Sequence, residues 1–184
     1  MEYAVDGWPA DEPTLRLDYR EFAYAGKFVM SSTGKAVVRD AREETDGKWD
    51  DGIIAAIAFN EDRTDPDTLW FRYITVRADR RGDGLGPRLA TFTAERARDR
   101  GYDRLRIAVN NPFAYEALHK AGFGYTGRET GLAELVLERP GDRSRATYQS
   151  GLDVYRERDL TEGEEEFLDA RNDTDPPSVI AAPE

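Results

Sequence analysis

Two hydrophobic periods divide the chain. Up to residue 76, apolar positions alternate with polar ones or run in short unbroken blocks. From Pro87 onward they recur at helical spacing. In the first part, Lys35–Arg39 follows the turn signal Ser31-Ser32-Thr33-Gly34 and reads as a strand. Ile53–Phe59 is continuously apolar, the pattern of a strand buried on both faces. Leu69–Val76 is the next strand, reached through the polar turn Glu61–Asp67 with its Pro66. Short turns between these runs predict an antiparallel meander. Ahead of them, Thr14–Asp18 alternates and reads as a strand, after an irregular lead-in over residues 1–13 that carries Gly7, Pro9 and Pro13. Tyr19–Ala25 reads as a short helix or turn. The charged stretch Asp40–Asp51 ends in Asp51-Gly52, a hairpin signal.

In the second part, Leu89, Phe92, Thr93 and Ala97 mark one helical face over Pro87–Arg100, with proline tolerated in the first turn and Gly101 as the stop. Leu105–Val109 alternates again and reads as a strand. Asn111-Pro112 opens a second helix running to Ala121, ended by Gly122. Strand pattern returns from Tyr125, clearest over Leu132–Leu137. Beyond it, Tyr148, Leu152 and Tyr155 form a helical stripe, and Thr161-Glu162-Gly163-Glu164 fits a capping box ahead of Phe167 and Leu168. These features predict one or two helices over 140–171, packed on the core or on a partner subunit. Residues 172–184 read as a disordered tail. The order of elements is that of an α/β (α+β) domain over 14–139 built on a mixed sheet, followed by a helical extension.

Composition narrows the chemistry. The chain has 184 residues, no cysteine and a single histidine, His119. A disulfide framework, a thiolate metal site and a cysteine nucleophile are excluded, and a histidine-rich metal centre has no ligands to draw on. No metal is expected. No apolar run approaches membrane-spanning length and residues 1–8 lack a signal pattern, so a cytoplasmic protein with no membrane association is expected. The net charge is −11, with only 4 lysines against 22 arginines. Such an acidic, arginine-rich balance resembles cytosolic proteins of organisms that keep high internal salt. The charge is uneven: residues 1–67 carry net −8, 68–139 net +4 and 140–184 net −7. A local positive surplus in an acidic chain suits a polyanionic small ligand and argues against a nucleic-acid partner, which requires a broad basic face.

Inside that basic segment lies Arg81-Gly82-Asp83-Gly84-Leu85-Gly86, between a strand and a helix. Glycines at alternate positions leave successive backbone N–H groups unobstructed, and at a helix N-terminus such amides form an anion site. A Rossmann fingerprint needs G-x-G-x-x-G and an acid ending the next strand; here the spacing is G-x-G-x-G, and Asp103 precedes Leu105–Val109. A Walker loop needs Gly-Lys-Ser/Thr, which is absent.

Val76-x-Ala78-x-x-Arg81-Gly82-x-Gly84-Leu85-Gly86, followed by a helix, a strand, Asn111-x-x-Ala114 and Gly122-Phe123, resembles the GNAT superfamily of N-acetyltransferases. The resemblance implies a mostly antiparallel sheet with splayed central strands and flanking helices. It implies acetyl-coenzyme A as co-substrate. The backbone of Ile74, Thr75 and Val76 would pair with the pantetheine arm. Arg81, Gly82, Asp83, Gly84, Leu85 and Gly86 would cradle the pyrophosphate, and Asn111 would hold the pantetheine or help split the central strands.

The catalytic positions depart from that pattern. Where many members carry a tyrosine four residues before the Gly-Phe pair, this chain has Leu118, flanked by Tyr115 and His119 as candidate proton carriers. Where many carry a glutamate base four residues before Val76, it has Arg72, which cannot act as a base. On the strand face of Trp70 and Ile74, Arg72 is instead a candidate for binding a carboxylate on the acceptor. Glu61 is a candidate base by location, and Tyr73 and Tyr24 are candidates for the acceptor pocket. The leading expectation is direct acetyl transfer, in a ternary complex, to a primary amine on a small molecule or peptide. Without cysteine, a cysteine-linked acetyl-enzyme is excluded. The alternatives are a non-catalytic coenzyme A-binding module, or a scaffold dimerising through its C-terminal helices.

Overall fold

The computed structural model describes residues 1–42 and 47–184, so part of the charged stretch before Asp51-Gly52 lies outside the described residues. The chain forms two compact units: residues 1–103 with 181–184, and residues 104–180.

The first unit is an antiparallel meander of four strands in the order β1-β2-β3-β4: β1 (Glu2–Gly7), β2 (Gly34–Arg39), β3 (Ile53–Glu61) and β4 (Thr68–Val76). Helix α1 (Leu85–Asp99) lies on this sheet. β3 is buried from Ile53 to Phe59 because both its faces are covered. On one face, Val37, Ala56 and Ala58 pack with Leu15, Leu17, Phe22 and Phe28. On the other, α1 contributes Leu85, Leu89 and Phe92, and Phe92 meets Tyr3 of β1 with ring centroids 5.8 Å apart.

Two expectations are corrected here. The first strand is Glu2–Gly7, inside the supposed lead-in, whereas Thr14–Asp18 has no regular structure. The alternation of Leu15 and Leu17 is real, since both are buried. It arises from an extended segment laid over the sheet, not within it. Its backbone is held by Leu15 N–H to the Phe28 carbonyl (2.8 Å) and Asp50 N–H to the Arg16 carbonyl (2.9 Å). The Nζ of Lys35, fully buried, pins the segment further by donating to the carbonyls of Pro13, Met30 and Thr33 and to the Thr33 hydroxyl at 2.7–2.9 Å. Tyr19–Tyr24 is a succession of turns, followed by a short 3-10 helix at Ala25–Lys27.

The second unit holds three antiparallel strands in the order β5-β7-β6: β5 (Arg104–Val109), β6 (Gly124–Glu129) and β7 (Leu135–Arg139). Its helices are α2 (Pro112–Lys120), α3 (Arg145–Arg156) and α4 (Glu162–Asp169). Among the described residues, seven strands and four α-helices make a mixed α+β chain in which the pairings described are antiparallel. The capping box at Thr161 and Glu164 is formed. Tyr148, Leu152 and Tyr155 are buried inside their own unit, so the stripe on which self-association was expected is already covered. Residues 172–180 have no regular structure but are tied down. Gln149 Nε2 donates to the Thr174 carbonyl, Arg143 to that of Pro177, and Ile180 N–H to that of Lys120, at 2.7–2.9 Å.

Candidate functional site

In the first unit, β4 leads through a 3-10 turn (Ala78–Arg80) into the glycine loop. The loop is anchored from below: Arg77 N–H donates to the Ile54 carbonyl and Ala78 N–H to that of Glu21, both at 2.9 Å. Gly82 and Gly84 have φ of +90° and +76°, which side chains disfavour, so glycine is required for conformation there. Gly84 is the N-cap of α1; no side chain caps this end and no acid occupies the first turn. Nothing lies within 4 Å of where a Gly82 side chain would begin, and Gly86 sits beside Val76 with its own side-chain position 3.8 Å from a Val76 methyl. The first-turn amides of α1 are therefore left without a side-chain cap, with the positive end of the helix dipole behind them.

Charge is arranged to match. Asp83, the one acid of the loop, is neutralised by Arg80 at 2.9 Å. Further along α1, Arg96 pairs with Asp99 and Arg98 with Glu95. Among the described residues no ion pair engages Arg81 or Arg88, the two exposed arginines at the loop. Two cations without an ion pair thus stand at the helix N-terminus. Arg88 is a contributor that the loop motif alone did not single out.

On β4 itself a bulge decides which side chains share a face. Ala58 opposes Tyr73 and Phe59 opposes Phe71, so Arg72 is an extra residue without a partner across the ladder. The expected face is corrected: Ile74 opposes Ile57, and Arg72 instead groups with Trp70 and Tyr73. These three line a cavity of about 670 Å³, together with Lys27, Glu61 and Asp62 among others. Arg72 Nε donates to Asn60 Oδ1 at 2.7 Å, and its guanidinium lies 4.9 Å above the Trp70 ring. Trp70 is fixed in turn by its Nε1–H to Asp62 Oδ2 at 2.6 Å. That bond and the amides of Thr64 and Asp65 hold the Asp62 carboxyl well below the usual range. Tyr24 packs on Tyr73 at 5.5 Å, and Lys27 Nζ stands 5.8 Å from the Tyr73 ring. Glu61 accepts from the Tyr102 hydroxyl at 2.8 Å; burial and this carboxylate push the Tyr102 phenol up to about 12. Arg72, Tyr73, Glu61 and Tyr24 are therefore gathered in one place, together with the expected neighbour Trp70 and with Lys27 and Asn60 as members that sequence reasoning missed.

The second unit treats its candidates differently. Asn111 is the N-cap of α2, its Oδ1 accepting from Ala114 N–H at 2.8 Å, which is the local reason a helix starts there. Tyr115 is fully buried and its hydroxyl donates to the Tyr148 carbonyl at 2.9 Å, and burial raises its pKa further from the neutral range. His119 is also fully buried, with Nδ1 2.7 Å from the Tyr115 carbonyl and Nε2 without a partner. Both side chains, expected as proton carriers, are sealed into an aromatic cluster with Tyr148. Both pack inward from α2, and neither meets solvent.

Burial lowers the His119 pKa to about 4 from an ordinary 6.5. The unfolded chain then binds a proton in this window that the folded chain refuses, so stability falls as pH drops from 6.5 toward 4 and is complete above 6.5. Denaturant titrations at pH 7 and pH 4 should differ by an extra ~3 kcal/mol in the parent relative to His119→Gln. An equal pH dependence in the two proteins would contradict the burial of a neutral ring.

Among the described residues, no group of three or more His, Asp or Glu side chains is placed to hold a metal ion, and no helix is long and apolar enough to cross a membrane.

Comparison with known proteins bears on the whole arrangement. No curated protein sequence matches the chain. Among solved structures, a putative N-acetyltransferase from Lactobacillus plantarum is similar in fold (TM-score 0.51, 19% identity, 74% of this chain and 94% of that one). So is nourseothricin acetyltransferase (TM-score 0.50, 18% identity, 74% and 96%). A Bacillus subtilis acetyltransferase in complex with CoA also matches, less fully (TM-score 0.46, 17% identity, 58% and 75%). The family model of the acetyltransferase (GNAT) family matches residues 2–123, a span holding the meander, the glycine loop, α1, Asn111 and the Gly122-Phe123 pair. The chain belongs to the acetyltransferase (GNAT) family.

Proposed function

We propose that this protein transfers the acetyl group of acetyl-coenzyme A directly to a primary amine on a small molecule or peptide. The observation that carries the reading is the uncapped N-terminus of α1, with Gly82 and Gly84 in the left-handed region and the unpaired Arg81 and Arg88 beside it. These residues fit a pyrophosphate: directed amides for the oxygens, open space for the group, and two cations free to neutralise it. The backbone of Ile74, Thr75 and Val76 would hold the pantetheine arm beside Gly86. Bound acetyl-coenzyme A supplies the acetyl group as a thioester.

Within the first unit, no side chain at the acceptor cavity has the features of a dedicated base. Asp62 is held firmly ionised, Glu61 is engaged by Tyr102, and Arg72 stays protonated. Catalysis then rests on holding the amine against the thioester, with water taking the proton, and positioning of that kind is worth many orders of magnitude. Such an enzyme gains rate with pH until the amine itself is deprotonated, and no acidic limb from a protein base appears in its profile.

The test is calorimetric binding of acetyl-coenzyme A at low and high salt, followed by free-thiol release with amines, amino acids and peptides. Binding with amine-dependent thiol release is expected. Binding without release from any amine would leave a coenzyme A-binding module, and no binding would remove both readings.

A further inference from the structure

The cavity beside the β4 bulge carries an unusual charge state. In this chain most arginines described are answered by an acid: Arg16 by Asp50, Arg39 by Asp6, Arg77 by Asp79, Arg106 by Glu138, Arg171 by Glu116. Arg72 is not. Its Nε is fixed by Asn60 and its plane by Trp70, yet among the described residues neither terminal nitrogen is bonded and no carboxylate lies within ion-pair distance. Partial burial lowers its pKa, and the Asp62 carboxylate nearby offsets this only in part. Lys27, one of only four lysines, lines the same cavity and is likewise without an ion pair.

The nearby acids do not fill the role. Asp62 is occupied by Trp70, Thr64 and Asp65, and Glu61 by Tyr102. A guanidinium oriented at two points, with its forked pair of nitrogens open, is built for a planar oxyanion. The walls around it are aromatic, from Trp70 and Tyr73, and the volume of about 670 Å³ suits an amino acid or a short peptide, not a bare ion. Arg72 also stands two residues before Ile74, on the strand whose backbone is assigned to the pantetheine.

We propose that this cavity receives the acceptor, and that the acceptor is an amine bearing a carboxylate, gripped by Arg72 with Lys27 in support and flanked by Trp70 and Tyr73. The proposal rests on the acetyl-transfer reading for its functional meaning but not for its test. Glu61 and Asp62, which also line the cavity, would attract the ammonium end of a molecule whose carboxylate is seated on Arg72. A zwitterion is complementary to both ends, whereas its amide forfeits the cationic one.

The experiment has a binding arm and a turnover arm. In the first, N-acetyl-L-phenylalanine and N-acetyl-L-phenylalaninamide are titrated into the full-length protein and into Arg72→Gln by calorimetry. The acid should bind the parent at least ~10-fold more tightly than the amide, and Arg72→Gln should bring the two within twofold. A thermal unfolding midpoint within about 2 °C of the parent reports that the variant is folded. In the second arm, thiol release is followed with L-phenylalanine and L-phenylalaninamide. The preference for the acid should appear in KM and vanish in Arg72→Gln. Equal binding of acid and amide to the parent, or a preference that survives in Arg72→Gln, would overturn the proposal. A carboxylate preference in the binding arm with no turnover of either amine would leave the pocket standing and count against the transfer reading instead.

Discussion

Gly84→Asp should weaken acetyl-coenzyme A binding by roughly 30-fold or more, about 2 kcal/mol. Three effects act in the same direction. The residue at 84 must hold φ near +76°, where a side chain adds strain of about 1 kcal/mol. A carboxylate at the N-cap would bond the very amides that the loop leaves uncapped, so a phosphate must displace it. The side-chain position also lies 3.9 Å from Arg88 Cζ, so the new acid would pair with one of the two free cations. Gly84→Ala carries the strain without the charge and should lose only a few-fold. Helix capping predicts that Gly84→Asp does not unfold the protein, so a binding loss at unchanged Tm separates the two causes. Binding as tight as the parent in both variants would place the pyrophosphate elsewhere.

The largest effect on stability is expected at Gly151→Ala, in the second unit. A side chain there would begin 2.5 Å from Tyr115 Cζ and 2.7 Å from Cε2, and closer still to the hydroxyl. The ring has nowhere to go. Its hydroxyl is bonded to the Tyr148 carbonyl, and His119, Tyr148 and Tyr155 enclose it with centroids at 4.3, 5.7 and 5.8 Å. Overpacking of a rigid aromatic cluster costs about 3 kcal/mol, and Tm should fall by roughly 10 °C. Gly163→Ala is the matched control: it lies in helix α4 with open space around it, and the same substitution should leave Tm unchanged or raise it slightly. A Gly151→Ala protein melting with the parent would show that Tyr115 is free to move, and would return it to consideration as a proton carrier.

The sequence showed most where one principle acts alone. The meander β2-β3-β4, the helix after the loop, Asn111 at the start of α2 and the capping box at Thr161 follow from local patterns, and all are present. Glu2–Gly7 was illegible because it is short, lies at the sheet edge, ends in Gly7 and is followed by Pro9, and both residues read as loop. Thr14–Asp18 misled because alternation reports burial of every second side chain, whether or not the backbone joins a ladder.

At the site the same division holds. The glycine loop declared itself because φ above zero restricts the residue type. Arg72 stands out in the sequence as an oddity beside Trp70, but Ile74 does not share its face, since a bulge cannot be seen in a strand pattern that continues unbroken through Leu69–Val76. Tyr115 and His119 stand out as reactive residue types, yet their burial depends on helix α3, whose Tyr148 and Gly151 close over them from about thirty residues or more away.

The central claim is that the Arg81–Gly86 amides hold the diphosphate of coenzyme A. The most direct measurement is a titration of isotopically labelled protein with coenzyme A, followed by the backbone amide resonances. The account predicts the largest shifts at Gly82, Gly84, Leu85 and Gly86, and their loss in Gly84→Asp. Saturable binding that leaves these four amides unmoved would contradict it.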